Sequence, residues 1–286
     1  MTTIALPAAV RTPDWIRRFR ARPTTVLALL VVLVALVAAF APGALTSHSP
    51  TAINLRQTLS APSWHHLFGT DEAGRDLFTR VVYGTRESLG IGVGATAIAM
   101  GIAIVLGFAA GLVGGIVDTL ITRLLEILFS FPALLLALLV VAVRGPSLET
   151  ELIAVGVGSA PGYARMVRGQ VLNVRKAPYV EAAAALGHRR LSVIRRHLFP
   201  NAFRPLVAVM TLGVGQSIVW ASSLSFLGFG VPPPSPEWGA LLDAGRDFIT
   251  TSWWLEILPG LVIVLLAIAV TSLGRTLQHK LEGASR

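Results

Sequence analysis

Residues 151–165 read ELIAVGVGSAPGYAR, and whether this stretch crosses a bilayer decides the count of crossings in the whole chain. It is uncharged between Glu151 and Arg165 but rich in glycine, with Pro161 near its end. One helical crossing takes about 20 apolar residues, so length alone predicts a half-crossing. The surrounding arginines predict otherwise. The stretch that follows carries Arg165, Arg168, Arg175, Lys176, Arg189, Arg190, Arg195, Arg196 and Arg204 against one acid, Glu181. The segment before the first apolar run carries Arg11, Arg17, Arg18, Arg20 and Arg22 against Asp14. Basic flanks stay on the cytoplasmic side of a membrane. Two such regions share a side only when an even number of crossings separates them, and that requires 151–165 to cross.

Composition sets the same frame. Hydrophobic residues make up 53% of the 286-residue chain and charged residues 14%, with a mean hydropathy of +0.69. A soluble domain of this length has no means of hiding so much apolar surface. The net charge of +9 is nearly all arginine, because Lys176 and Lys280 are the only lysines. These arginines sit between long apolar runs rather than on a polar domain, which argues for membrane topology and against nucleic-acid binding. Cysteine is absent, which excludes disulfides and thiolate metal sites.

The expected architecture is an all-α polytopic membrane protein of about six transmembrane helices with both termini cytoplasmic. Residues 1–23 form a basic cytoplasmic tail, 24–45 the first transmembrane helix and 46–87 an extracytoplasmic loop. Residues 88–277 hold helices two to six, with a cytoplasmic loop at 165–204, and 278–286 form a second cytoplasmic tail. A cleaved signal peptide is the rival reading of the first run, with Ala39-Phe40-Ala41 as the cleavage site. Pro42 directly after it and the length of the run argue against cleavage. The further apolar segments are Ser88–Gly115, Leu120–Val143, Pro205–Gly230 and Leu255–Leu277. Val231–Trp254 carries Glu237, Asp243 and Asp247 against Arg246, which places it outside, where Trp238, Trp253 and Trp254 fit an aromatic belt. Gly107, Gly111 and Gly115 recur every fourth position, as do Gly90 and Gly94. That spacing suits close backbone approach between helices, or simply a glycine-tolerant membrane helix. In the third segment Arg123 and Glu126 are three apart, the spacing of a local ion pair at the membrane edge, and Pro132 falls mid-segment.

The basic loop reads Glu181-Ala182-Ala183-Ala184-Ala185-Leu186-Gly187, then His188 to Arg196, then His197-Leu198-Phe199-Pro200-Asn201. This spells a short alanine-rich helix with an acid at its start, where the helix dipole favours one. Gly187 interrupts it, a second basic helix follows, and Pro200 is expected to end that helix before the fifth apolar segment. The loop resembles the EAA motif of binding-protein-dependent ABC importers: Glu181, Ala182, Ala183, Gly187 and Pro200 match position by position. Two more stretches resemble the C-type permeases of the dipeptide, oligopeptide and nickel subfamily. One contains Gly69-Thr70-Asp71, Gly74, Arg75 and Asp76; the other runs Leu224-Ser225-Phe226-Leu227-Gly228-Phe229-Gly230 and on to Pro236-Glu237-Trp238-Gly239. The chain departs from many such relatives at Ala221, where they carry a glutamate.

The resemblance implies a type I ABC importer transmembrane domain in a bacterial inner membrane. It implies that the loop, including Ala184, Arg195, Arg196 and His197, is a coupling helix that docks in a groove of a cytoplasmic ATPase. The partners implied are a homologous B-type permease, two cytoplasmic ABC ATPase subunits and an extracytoplasmic substrate-binding protein. Dipeptides or short peptides are the implied substrates, with nickel or another small solute left open. No catalytic residue, metal or cofactor is implied in this chain, since ATP and Mg would be bound by the ATPases. The residues agree: a phosphate-binding loop needs Gly-Lys followed by Ser or Thr, and here Arg175 precedes Lys176 and His279 precedes Lys280.

Several polar groups have two readings. Asp71 with Arg75 and Asp76 with Arg80 are four apart, which fits a salt-bridged surface helix or a clamp near an outer gate. Adjacent His65 and His66 form an ordinary loop pair more readily than a metal site, because no third ligand is spaced nearby. Gln216, Ser217, Ser222 and Ser223 are helix glue or pathway lining. Arg189, Arg190, Arg195 and Arg196 suit anionic lipid headgroups or an acidic ATPase surface. A secondary transporter is the rival from another class, but after the third segment the apolar runs offer no coupling charges. A membrane enzyme would need clustered acids or histidines, and the histidines are dispersed.

Overall fold

The computed structural model describes residues 23–283, with side chains to residue 278; the expected basic tail at 1–23, apart from Pro23, and the side chains of the expected tail after Gln278 lie outside the described residues. All regular elements among the described residues are helical. Helix α1 (Pro23–Phe40) starts on a proline, whose missing amide is no loss at a first helical position, and stops just before Pro42. Helix α2 (Leu77–Val113) has 37 residues, about 55 Å at 1.5 Å per residue, so it outreaches the ~30 Å hydrocarbon layer.

The third apolar segment is not the single helix expected over Leu120–Val143. It begins earlier and breaks into α3 (Gly115–Ser130) and α4 (Ala133–Arg144), which meet at 89°. Pro132 has no amide for the ladder, and it forces Phe131 into extended backbone at ψ 136. Helix α5 (Leu148–Arg175) then runs for 28 residues, about 42 Å, through Pro161. It starts at Ser147, whose hydroxyl accepts from the Thr150 amide at 3.1 Å. The remaining α-helices are α6 (Pro178–Ala185), the long α7 (Arg190–Phe229), α8 (Trp238–Gly245) and α9 (Trp254–Gly283), besides short 3-10 turns at Pro42–Ala44, Leu55–Gln57 and Arg246–Phe248.

By length and composition alone, α1, α2, α7 and α9 qualify as membrane spans, and the bent pair α3–α4 makes five. Helix α5 falls short on composition, but its packing settles its depth. Gly94 meets Leu152, Gly156 meets Ile98, Gly107 meets Val167 and Gly111 meets Val171. The residue numbers rise together, so α5 lies parallel to α2 along the whole apolar length of α2. It passes through the same layer, which gives the sixth crossing. Helix α7 runs antiparallel to α2, with Gly92 on Ile218 and Thr96 Oγ1 3.0 Å from Ser217 Oγ. Helix α9 returns antiparallel to α7, with Gly215 against Ala267 and Gly274 against Leu212.

The every-fourth glycine pattern is realised in part. A β-carbon on Gly107 would lie 2.7 Å from the Val167 side chain, and one on Gly111 2.6 Å from Val171. Gly90 and Gly115, at the same spacing, face open space, because Gly90 lies on the exposed side of α2 and Gly115 starts the next helix. Gly92, outside the pattern, takes the close contact with α7. Gly107→Ala should therefore destabilise the protein by roughly 1–3 kcal/mol through overpacking, whereas Gly90→Ala should not. Thermal unfolding of both variants in detergent checks this; equal midpoints would refute the close-packing account.

Candidate functional site

The alanine-rich segment folds as α6, eight residues with Pro178 at its start and Glu181 in its first turn. Gly187 adopts φ +79 and its amide donates to Ala184 O at 3.0 Å, which ends the helix and turns the chain. Val180 and Ala183 anchor α6 by packing on Val193 of α7. That leaves Glu181, Ala182, Ala184 and Gly187 exposed, flanked by Leu186 at 79% and Leu191 at 75% exposure. The two exposed leucines were not picked out from the sequence. They stand where an apolar patch on a small smooth surface meets solvent.

Pro200 does not end the second helix. Helix α7 continues through Pro200 and Pro205, because its turn over Ile194–Leu198 is widened to π geometry, with the Phe199 amide donating to Ile194 O. The wider turn absorbs the missing proline bond, and Asn201 Nδ2 donates to His197 O at 2.6 Å. Arg195 and Arg196 are exposed on this turn and His197 is half-buried.

At the other end of the bundle the signature residues form a buried cluster rather than a surface helix. Thr70 to Asp76 is a tight turn, with Gly69 and Gly74 at φ +75 and +71. A side chain on Gly69 would strike the Trp254 indole, and one on Gly74 the Asn54 carbonyl. Asp71, 2% exposed, accepts from Arg75 Nε at 2.6 Å, from Arg80 Nη1 at 2.6 Å and from two backbone amides. The expected Arg75 pair therefore forms, but the expected Asp76–Arg80 pair does not. Asp76 is taken by the start of α2, accepting from the Thr79 amide at 2.8 Å, and by His66 Nδ1 at 2.8 Å. Arg80 turns to Asp71 instead. His66 Nε2 lies 3.2 Å from Gln57 Oε1, so both of its ring nitrogens are engaged within the loop.

The tryptophans depart from the expected belt. Trp253 is exposed, but Trp238 and Trp254 are buried and donate to Val81 O at 2.9 Å and Thr70 O at 3.3 Å. Trp238 staples α8 onto the start of α2, and Trp254 staples the outer turn onto the start of α9. The edge pair in α3 forms as expected, with Arg123 Nη1 2.8 Å from Glu126 Oε2.

The polar residues of α7 separate. Ser217 is buried and bonds to Thr96 of α2, and Ser222 is buried behind Gly239, with no partner for its hydroxyl. Gln216 is exposed and borders a cleft of about 480 Å³ with Phe129, Tyr163 and Trp220. Glu151 and Glu237 were missed as buried acids; both are 0% exposed. Glu237 caps α8 through the Gly239 and Ala240 amides, and Ser88 donates to it at 3.1 Å. Glu151 accepts from Ser225 Oγ at 3.0 Å, one turn past Ala221, which is itself packed among small residues of α4 and α5. A carboxyl thus stands near the end of α7 even without a glutamate at 221.

These features define a class: a helical membrane protein that carries an exposed, anchored short helix between two of its spans. The model of the family described as binding-protein-dependent transport system inner membrane component matches residues 103–283, and the chain belongs to that family. It is 39% identical to the dipeptide transport system permease protein DppC of Alkalihalophilus pseudofirmus, over 89% of this chain and 83% of that one. It is also 39% identical to the probable D,D-dipeptide transport system permease protein DdpC of Escherichia coli K12, over 91% and 87%. Among solved structures it resembles an amino acid ABC transporter crystallised with histidines, at TM-score 0.58 and 15% identity over 71% of this chain and 94% of that one. It also resembles the MetNI methionine ABC transporter, at 0.55 and 19% over 71% and 96%. The chain is a non-catalytic, multi-pass inner-membrane subunit of a system that includes ATPases and a binding protein.

Asp71→Asn should leave Arg80 buried without its counter-charge and cost about 3–5 kcal/mol. Arg123→Ala breaks an exposed pair and should change stability by less than about 1 kcal/mol. Unfolding midpoints of the two variants in the same detergent check the contrast, and similar midpoints would refute the buried-hub account.

Proposed function

We propose that this permease is one half of a heterodimeric pore that imports dipeptides or short peptides. A homologous B-type permease forms the other half, two cytoplasmic ABC ATPases bind the inner loops, and an extracytoplasmic binding protein delivers substrate to the outer face. Chemically, short peptides share charged termini and hydrogen-bonding amides, and a passage for them needs hydrogen-bonding groups amid apolar walls. The cleft beside Gln216, with Tyr163, Trp220 and Phe129, has that character, which favours Gln216 over Ser217 and Ser222 as pathway lining.

The observation that carries the reading is the state of α6. Its inner side is fixed to α7 through Val180 and Ala183, while Glu181, Ala182, Ala184 and Gly187 are free to enter another subunit's groove. Small side chains allow close approach, and the neighbouring Arg195 and Arg196 offer charge to an acidic ATPase surface or to lipid headgroups. The peptide substrate rests on the relatives named for dipeptide transport.

Reconstituted with its partners, the complex should take up radiolabelled dipeptide in an ATP-dependent way. Unlabelled dipeptide should compete and nickel should not; competition by nickel alone would assign the metal instead. Gly187→Val forces a β-branched residue into a left-handed backbone, which costs roughly 1–2 kcal/mol, with open space around its side chain. It should abolish coupled uptake or ATPase assembly while membrane insertion persists. Normal transport by this variant would overturn the coupling role of α6.

A further inference from the structure

Two arginines bracket α6 and reach back to the same place. Arg175, the last residue of α5, donates from Nη1 to Gly111 O at 3.2 Å. Arg190, the first residue of α7, donates from Nη2 to Leu112 O at 3.2 Å. Both acceptors lie in the last turn of α2, whose carbonyls have no partner within the helix and carry the negative end of its dipole. One arginine precedes α6 in the chain and the other follows it. The short helix is thereby hung from the end of α2 on both sides.

The end of α2 is also a joint. Gly114 and Gly115 follow it at φ +72 and +55, a pair of left-handed residues that redirects the chain into α3. Beyond the joint, Asp118 in the first turn of α3 is held by a two-pronged pair from Arg168 of α5, Nε to Oδ1 at 2.5 Å and Nη2 to Oδ2 at 2.7 Å. Both sides of the joint touch α5, the α2 side through Gly111 on Val171 and the α3 side through Arg168, but only the α2 side also receives the arginines that bracket α6. A cavity of about 400 Å³ lies between α6 and α2, bordered by Leu112, Arg175, Glu181, His188 and Arg190. Both arginines line it, and apolar packing does not fill the gap.

We propose that Arg175 and Arg190 are the positioning residues that deliver a displacement of α6 to the α2–α3 joint, which flexes at Gly114–Gly115 against the Arg168–Asp118 anchor. This rests on the reading of α6 as the element that receives the ATPases. Hydrogen bonds from arginine to backbone carbonyls oppose separation, which an unfilled cavity does not. Unlike Arg195 and Arg196, Arg190 is bonded back to α2 and not offered to an ATPase surface, and because that bond is exposed its loss leaves no buried group unpaired. Its substitution should therefore spare the fold.

The test uses the full complex with both ATPases and the binding protein in proteoliposomes, comparing Arg190→Ala, Arg190→Lys and Arg175→Ala/Arg190→Ala with the native chain. Expected is retention of the ATPases on purification, ATP hydrolysis within about twofold, and uptake per ATP reduced tenfold or more in the double variant. Arg190→Lys should recover part of it, because lysine keeps the charge but not the fork. Spin labels at Leu186 and Val113 should keep a constant separation through the nucleotide cycle in the native chain and change separation in the double variant. Native uptake per ATP in the double variant, or loss of the ATPases from both Arg190 variants, overturns the proposal. Gly187→Val distinguishes the two levels. If it transports normally, the reading of α6 fails; if it is defective while the double arginine variant is coupled, only the arginine link fails.

Discussion

Where Gly107 and Gly111 of α2 meet Val167 and Val171 of α5, there is no room for a β-carbon, and the two backbones lie almost against each other. In a bilayer no hydrophobic force draws helices together, because lipid tails are as apolar as the side chains. Close van der Waals contact must supply the attraction, and only small residues on one partner permit it. This contact gives α5 its depth despite its poor apolar composition. It also fixes where Arg168 and Arg175 emerge beside the end of α2. The bent α3–α4 pair begins just past that contact and returns to α5 farther along, with Gly158 of α5 against the Ala133 carbonyl.

Charge is handled differently at the two ends of the bundle. At the outer end it is buried and shared, with Asp71 serving two arginines while Asp76 caps α2 and holds His66. Taking such groups from water is costly, and only dense hydrogen bonding offsets the penalty. The result is a rigid rim. At the inner end Arg168, Arg175 and Arg190 are exposed or half-exposed, the last two bonded to a helix end and the first to the carboxylate of Asp118. These bonds are weaker individually and easier to rearrange, which suits a surface that has to move.

The sequence made the helical class, the crossing parity and the short alanine helix readable, because each depends on composition, charge bias or a local turn. Parity is the clearest case: residues 151–165 fail on length, yet arginine placement puts them through the bilayer, and the parallel pairing with α2 agrees. What escaped were features set by tertiary choice. Asp76 had two available partners at suitable spacing, and the amide end of α2 and His66 took it from Arg80. Pro200 carried an ordinary stop signal, overridden by a π turn whose geometry no residue type announces. Glu151 looked like the polar edge of a segment, since burial at a helix start depends on what α7 and α8 place above it. Trp238 and Trp254 have the composition of an interfacial belt, but the outer turn supplied carbonyls that drew them inside.

The 89° bend at Pro132 constrains which surface of the chain meets the acyl layer. A broken helix exposes amides and carbonyls at its break, and hydrocarbon offers them nothing to bond. The elbow therefore has to point at protein or at a wet cavity, never at lipid. Phe129, Phe131 and Pro132, which make the elbow, are the same residues that wall the cleft beside Gln216. A single backbone kink thus gives the subunit an inside and an outside within the plane of the membrane, a polarity that hydropathy plots, which read only depth, do not contain.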